Sequence, residues 1–445
     1  MSTESLPRLP RIVHPPPGPA TGGWARRLRQ VESRNVTFLG PDFPVFWERA
    51  QGAMVQDADG NVYLDLTGAF GVAVAGHAHP RITAAIAEQA GRLAHGMGDV
   101  HPPTRKVELL EALARILPWG GESRITLANS GSEAVEVALK TALLATGRPG
   151  VVAFQGGYHG LTVGSLAVTE REDFRSPFRP RLYPGVTFVP FPAPAGKVDA
   201  ETALRVLDGV LGGETAGEGH PIGAVIVEPI QGRGGVQVPP PGFLAEVARR
   251  TRAAGALLIF DEIFTGLGRT GRTFALEHEG VVPDLLCVGK ALGGGLPLSA
   301  CAGARDVMDA WPSSTGEALH TSTFLGHPLA CASALAFLGV LEEEGLTGWA
   351  AATGPRFRAR LEGELRPMPG VREVRGRGMF LGIELTGEAA GVRVAEAALR
   401  RGLLVLPAGP RGEVVELSPP LILSEEQLDA ALHLLVESVQ EVMGA

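Results

Sequence analysis

The chain has 445 residues, 45% apolar and 20% charged, with a formal net charge of −8. That length supports a large core plus a second, smaller lobe, in the composition range of ordinary globular proteins. The negative balance disfavours general nucleic-acid binding, which rests on neutralising phosphates, and no apolar run reaches the roughly 18 residues that span a bilayer.

In chain order, residues 1–22 carry Pro7, Pro10, Pro15, Pro16, Pro17 and Pro19 and are expected to form a flexible arm. The opening Met-Ser-Thr-Glu-Ser-Leu-Pro lacks the basic and then apolar regions of a secretory signal, so a cytoplasmic location is expected. Residues 23–75 read as an N-terminal segment that completes a small domain. The basic cluster Arg26, Arg27, Arg29 and Arg34 reads as a solvated or subunit-contacting face. Within 53–66, two apolar runs flank Asp59-Gly60-Asn61, the signature of a hairpin turn.

Residues 76–334 alternate short β-branched runs with helical stretches. Strands are expected at 151–154, 224–228, 256–261 and 285–288, and helices around 132–146, 241–254 and 327–343. This alternation predicts an α/β fold, a mainly parallel sheet of seven-stranded type between helices. Residues 335–445 read as a smaller α/β C-terminal domain. Its last helix opens on the capping box Ser424-x-x-Gln427 and carries Leu428, Leu432, Leu435, Val439 and Val442 on one face. Cys287, Cys301 and Cys331 are too few for a disulfide framework and read as reduced, buried thiols. No His-Glu-x-x-His or Cys-x-x-Cys spacing occurs, so no metal site is expected.

Four predicted strands end in polar or Gly-rich stretches, and open α/β sheets bind ligands at such ends. Asn129-Ser130-Gly131-Ser132-Glu133 opens a helix, where free N–H groups and the helix dipole favour a phosphate. Alone, it is also an ordinary N-cap. Phe154-Gln-Gly-Gly-Tyr158-His159-Gly160 offers the Tyr158 ring to a planar ligand, or simply packs it. Asp261 ends four apolar residues, where a carboxylate is costly unless paired with a cation such as a protonated pyridine nitrogen. Lys290 ends an apolar run beside glycines, the desolvated setting that imine-forming lysines use, although a strand-end lysine is more often merely exposed. Acid, lysine, phosphate turn and aromatic turn together outweigh the ordinary reading of each.

These stretches, with Gly76-His77-Ala78-His79-Pro80, Val227-Glu228-Pro229, Gly268-Arg269-Thr270-Gly271, Thr323-Phe324-Leu325-Gly326 and Arg375-Gly376-Arg377-Gly378, resemble the class III aminotransferases. This is the ornithine and 4-aminobutyrate group of the fold-type I pyridoxal-phosphate enzymes. The resemblance runs from about Phe46 to Val442. It implies pyridoxal 5′-phosphate as cofactor, joined to Lys290 as a Schiff base, with Asp261 on the ring nitrogen. It likewise implies Gly131 and Ser132 at the phosphate, Tyr158 and Ile263 on the ring faces, and Glu228 in the active site. Thr323 would reach the phosphate of the neighbouring subunit, which implies a homodimer. The implied substrates are an amino acid or ω-amine as donor and a 2-oxo acid as acceptor.

Two features depart from the family. Phe264 stands where many members have a glutamine that contacts the cofactor's ring oxygen. In the 4-aminobutyrate and ornithine enzymes a glutamate after Glu-Pro-x-Gln-Gly pairs with an arginine just before a C-terminal Pro-Pro-Leu. Here those positions are Arg233 and Glu416, so the charges are exchanged, and Arg233 is expected to clamp a substrate carboxylate. Racemisation or epimerisation on the same scaffold is the alternative reading. A non-catalytic nucleotide-binding protein is the weaker one, since no Gly-x-Gly-x-x-Gly follows the first strand.

Overall fold

A computed structural model describes residues 5–38, 40, 44–192, 198–213 and 219–444. The chain divides into two compact units, Pro80–Gly348 and Met1–His79 with Trp349–Ala445. The large unit is built on a seven-stranded sheet. Across it run Ser123–Ala128, Ser299–Ala304, Leu285–Val288, Leu257–Asp261, Ile222–Val227, Gly150–Phe154 and Val186–Val189. The last five are parallel, and Ser299–Ala304 runs antiparallel to both its neighbours. Ile222–Val227 is buried along its whole length, which is why it reads as an unbroken apolar run rather than an alternating one.

The helix Gly131–Thr146 forms for reasons visible in its residues. The Ser130 hydroxyl caps it by accepting from the Glu133 N–H, and Ala134, Val135, Val137, Ala138 and Ala142 bury one face. Gly147 ends it in the left-handed region at φ 65°. Ile226, Ile259, Leu285 and Cys287 of the sheet share that core cluster. Burial of Val135 and Val137 on this face contributes about 1.5–3 kcal/mol each.

The expected boundary at 334/335 moves to 348/349. The helix Pro328–Glu343 packs on the helices Pro80–Arg92 and Thr104–Ile116, so its second half stays with the large unit.

The other unit holds two four-stranded sheets. The hairpin Met54–Asp57 and Val62–Asp65 turns where Asp57 Oδ1 accepts the N–H groups of Asp59 and Asn61 at 2.9 and 2.8 Å. The predicted flexible arm is tied to this hairpin instead. Arg11 pairs backbone to backbone with Val62, and Asn61 Oδ1 accepts from Val13 and His14 at 2.8 and 2.9 Å. Asp59 accepts from Ala20 and Thr21, capping the helix Pro19–Val31. Proline content led to the expectation of flexibility, but the turn residues supply acceptors for the arm's remaining donors. The expectation for residues 1–4 lies outside the described residues. The C-terminal helix Glu425–Met443 carries the expected capping box and buries Leu428, Leu435 and Val439. Among the described residues no helix is long and apolar enough to cross a membrane.

Candidate active site

Because the strands are parallel, the chain turns that follow Phe154, Val227, Asp261 and Val288 leave the same edge of the sheet. A cavity of about 200 Å³ opens there. Gly131, Ser132, Tyr158, Glu228, Arg233, Asp261, Ile263 and Lys290 all line it, joined by His159, Gly160 and Phe264. Two expected residues are not among its lining. Thr323 is exposed in the turn before the helix Pro328–Glu343. Glu416 is buried in the strand Val414–Leu417 of the other unit, where its carboxylate accepts from Ser418 Oγ at 3.3 Å.

Asp261 is held from two sides. Its Oδ1 accepts the Ile263 N–H at 3.1 Å, and its Oδ2 accepts from His159 Nδ1 at 2.8 Å. The carboxylate is an acceptor, so the shared proton belongs to Nδ1. Burial disfavours the His159 imidazolium, but the hydrogen bond and charge of Asp261 outweigh it and raise its pKa above the ordinary value. His159 Nε2 is buried and has no hydrogen-bond partner among the described residues.

Glu228 joins two turns. Its carboxylate accepts the Tyr158 N–H at 2.9 Å and the Gly232 N–H at 3.0 Å, which places the Tyr158 ring and Arg233 side by side. The guanidinium carbon lies 5.8 Å from the ring centroid. Within its own unit Arg233 makes no ion pair among the described residues. Burial pushes the Glu228 carboxyl up to about 7, with nearby Asp261 adding to burial and His159 opposing it.

Glycine is required at two points. A Cβ on Gly131 would lie 2.8 Å from Ile263 Cδ1, so Ile263 packs directly on the helix start. Gly160, at φ 119°, brings its backbone against Ser132, whose Oγ accepts the Leu161 N–H at 3.2 Å. Lys290 itself has left-handed backbone, φ 43°, at the end of Leu285–Val288. Among the described residues no cluster of His, Cys, Asp or Glu is arranged to hold a metal ion.

The family model for aminotransferase class-III matches residues 39–439. The chain belongs to the class-III aminotransferases. It is 38% identical to an acetylornithine aminotransferase of Methanothermobacter thermautotrophicus over 399 residues, 90% of this chain and 95% of that one. It is 36% identical to a 4-aminobutyrate aminotransferase of Mycobacterium leprae over 450 residues, 97% of this chain and 98% of the other. The ornithine aminotransferase of Toxoplasma gondii, whose structure is described with partial occupancy of pyridoxal phosphate, superposes with a TM-score of 0.83. Its sequence is 33% identical, with 95% of this chain and 94% of that chain covered. The chain is thus a pyridoxal-phosphate-dependent aminotransferase. None of these relatives points to the racemase or the nucleotide-binding reading.

The cavity fits the cofactor of a class-III aminotransferase. A helix start bearing Gly131 and Ser132 suits a phosphate, the buried Asp261 carboxylate suits a protonated ring nitrogen, and Lys290 supplies an amine. The sequence reading gave His159 no role. Its signal was faint: a histidine after an aromatic residue, whose partner lies 102 positions away.

Proposed function

We propose that Lys290 is the residue that holds pyridoxal 5′-phosphate covalently, as a Schiff base, in transamination between an amino acid or ω-amine and a 2-oxo acid. The observation that carries this is the meeting of Lys290, the His159-backed Asp261 and the Gly131–Ser132 helix start in one cavity. The chemistry supplied by the bound cofactor is an electron sink for the substrate carbon that bears the amine. Lys290 Nζ would take the proton from that carbon and hold and move it, so that the carbon is left at the level of a 2-oxo acid. Asp261 keeps the ring nitrogen protonated, and its bond to His159 prevents it from turning away. Tyr158 and Ile263 pack the ring, Gly131 and Ser132 take the phosphate, and Glu228 sets the spacing of the Tyr158 and Arg233 turns.

Arg233 is proposed to receive the substrate carboxylate through its planar fork, with Glu416 as its counter-charge. The named relatives act on acetylornithine, 4-aminobutyrate and ornithine, each an amino acid with an amine or amide remote from its carboxylate, which supports a donor of this class. Thr323 is proposed to serve the phosphate of a second copy, so that the working form is a homodimer. The free, buried Cys287, Cys301 and Cys331 suit a reducing compartment such as the cytoplasm.

The test is borohydride reduction of the yellow holoprotein followed by peptide mapping. The cofactor is expected on Lys290, and Lys290→Ala is expected to carry no covalent cofactor and to turn over no substrate. Attachment elsewhere, or a wild-type rate in the variant, would end this reading.

A further inference from the structure

Phe264 lines the cavity, departs from the family pattern, and has no part in the roles above. The Lys290 Nζ lies 4.2 Å from the centroid of its ring. Both partners are on anchored backbone. Phe264 follows Ile263, whose N–H is bound by Asp261 and whose side chain packs on Gly131 and Gly289. Lys290 follows the buried strand Leu285–Val288, with its own backbone in the left-handed region at φ 43°.

We propose that Phe264 is a positioning residue, whose ring face holds the Lys290 ammonium inside the cavity whenever that amine is not joined to the cofactor. The proposal rests on Lys290 being the attachment lysine. A lysine released from the cofactor must stay aimed at the reacting carbon through both a neutral and a charged state. A carboxylate in contact would fix the ammonium by an ion pair that strengthens in a dry site. A glutamine would fix it by a hydrogen bond to its amide oxygen. The face of a phenyl ring attracts the ammonium through its quadrupole, yet carries no net charge and no lone pair to compete for the proton. The ring therefore gives the amine direction while leaving its proton free to move.

The other charged or titratable groups around the cavity are Asp261, His159, Glu228, Tyr158 and Arg233. Asp261 is engaged by His159 and the Ile263 N–H, and Glu228 by the Tyr158 and Gly232 N–H groups. The ring of Phe264 is a contact of the amine that can be removed without removing a charge.

The experiment loads the full chain with pyridoxamine 5′-phosphate, which leaves Lys290 unattached, and follows acetylation of each lysine by acetic anhydride against pH, read by mass spectrometry. Phe264→Leu keeps an apolar side chain but removes the ring, and Phe264→Tyr keeps the ring. The Leu variant is expected to lower the Lys290 labelling midpoint by about half a pH unit or more, roughly a three-fold larger neutral fraction at a fixed lower pH. The Tyr variant is expected to retain the wild-type midpoint, and Lys140, on the surface, to be unchanged in both. An unmoved midpoint in Phe264→Leu, the same shift in Phe264→Tyr, or a shift shared by Lys140 would overturn the proposal. Borohydride mapping run on the pyridoxal-phosphate form separates the two readings. Attachment away from Lys290 defeats the proposed function, whereas attachment at Lys290 with unmoved midpoints defeats only the role of Phe264.

Discussion

Asp261 ends the strand Leu257–Asp261 behind three fully buried residues, Leu258, Ile259 and Phe260. A carboxylate there is costly without a partner, and His159 supplies one from the turn after Gly150–Phe154. The His159 pKa is raised in the folded chain: burial pulls it down, and Asp261 more than restores it. A raised pKa means that the stabilisation from the charged pair is fully present below the unfolded value and is lost as pH rises through the folded one. His159→Gln leaves an amide N–H for Asp261 but no charge. In urea unfolding it is expected to be about 1–3 kcal/mol less stable than wild type near pH 6. The gap should narrow towards alkaline pH, and a gap that widens would contradict the pairing. At this scale the sequence was legible wherever a polar residue closed an apolar run, as at Asp261 and Lys290. His159 was not, because its significance lies in a contact between distant turns.

At the scale of elements, each turn takes its shape from a side chain of another. Glu228 ties the Tyr158 turn to the Arg233 turn, and the neighbouring Glu262 accepts the Ala275 and Leu276 N–H groups at 2.6 and 2.7 Å and the Thr265 hydroxyl at 2.8 Å. These bonds hold loops that periodicity cannot describe. The strands and helices of the large sheet were readable from apolar runs and caps. The docking of residues 5–31 on the hairpin was not, since its acceptors, Asn61 and Asp59, look like ordinary turn residues. Arg233 belongs to this scale because Glu228 sets its position. Arg233→Ala is expected to raise the KM for the 2-oxo acid about tenfold or more, with a smaller effect on kcat. Pyruvate and 2-oxoglutarate compared side by side would show which acid it serves. If Glu416 answers its charge, the double variant with Glu416→Ala should depart from additivity by about 0.5–3 kcal/mol. Additive effects would leave Arg233 as a clamp and remove Glu416 from it.

For the whole molecule, the exposed apolar residues near Thr323 need an explanation. Met97, Val100, Leu319 and Phe324 are between 54% and 72% exposed. The two stretches that carry them touch, through the Thr321 hydroxyl on Asp99 at 2.9 Å and the His95 and Phe324 rings 5.1 Å apart. Such a group on one surface is the kind that a second subunit covers. If Thr323 serves the neighbour's phosphate, every active site combines residues from two chains. Lys290→Ala and Thr323→Asp then damage the same site from different subunits, the second by setting a carboxylate against the phosphate. Each variant alone is expected to be inactive or nearly so. In a hybrid dimer one site carries both changes and the other carries neither. Random subunit exchange of equal amounts should therefore restore about a quarter of the wild-type rate, because half the dimers are hybrids with one intact site each. If Thr323 instead acted within its own chain, every site of the hybrid would carry one change. Mixing would then restore nothing, and the shared site would be excluded even if the protein sedimented as a dimer.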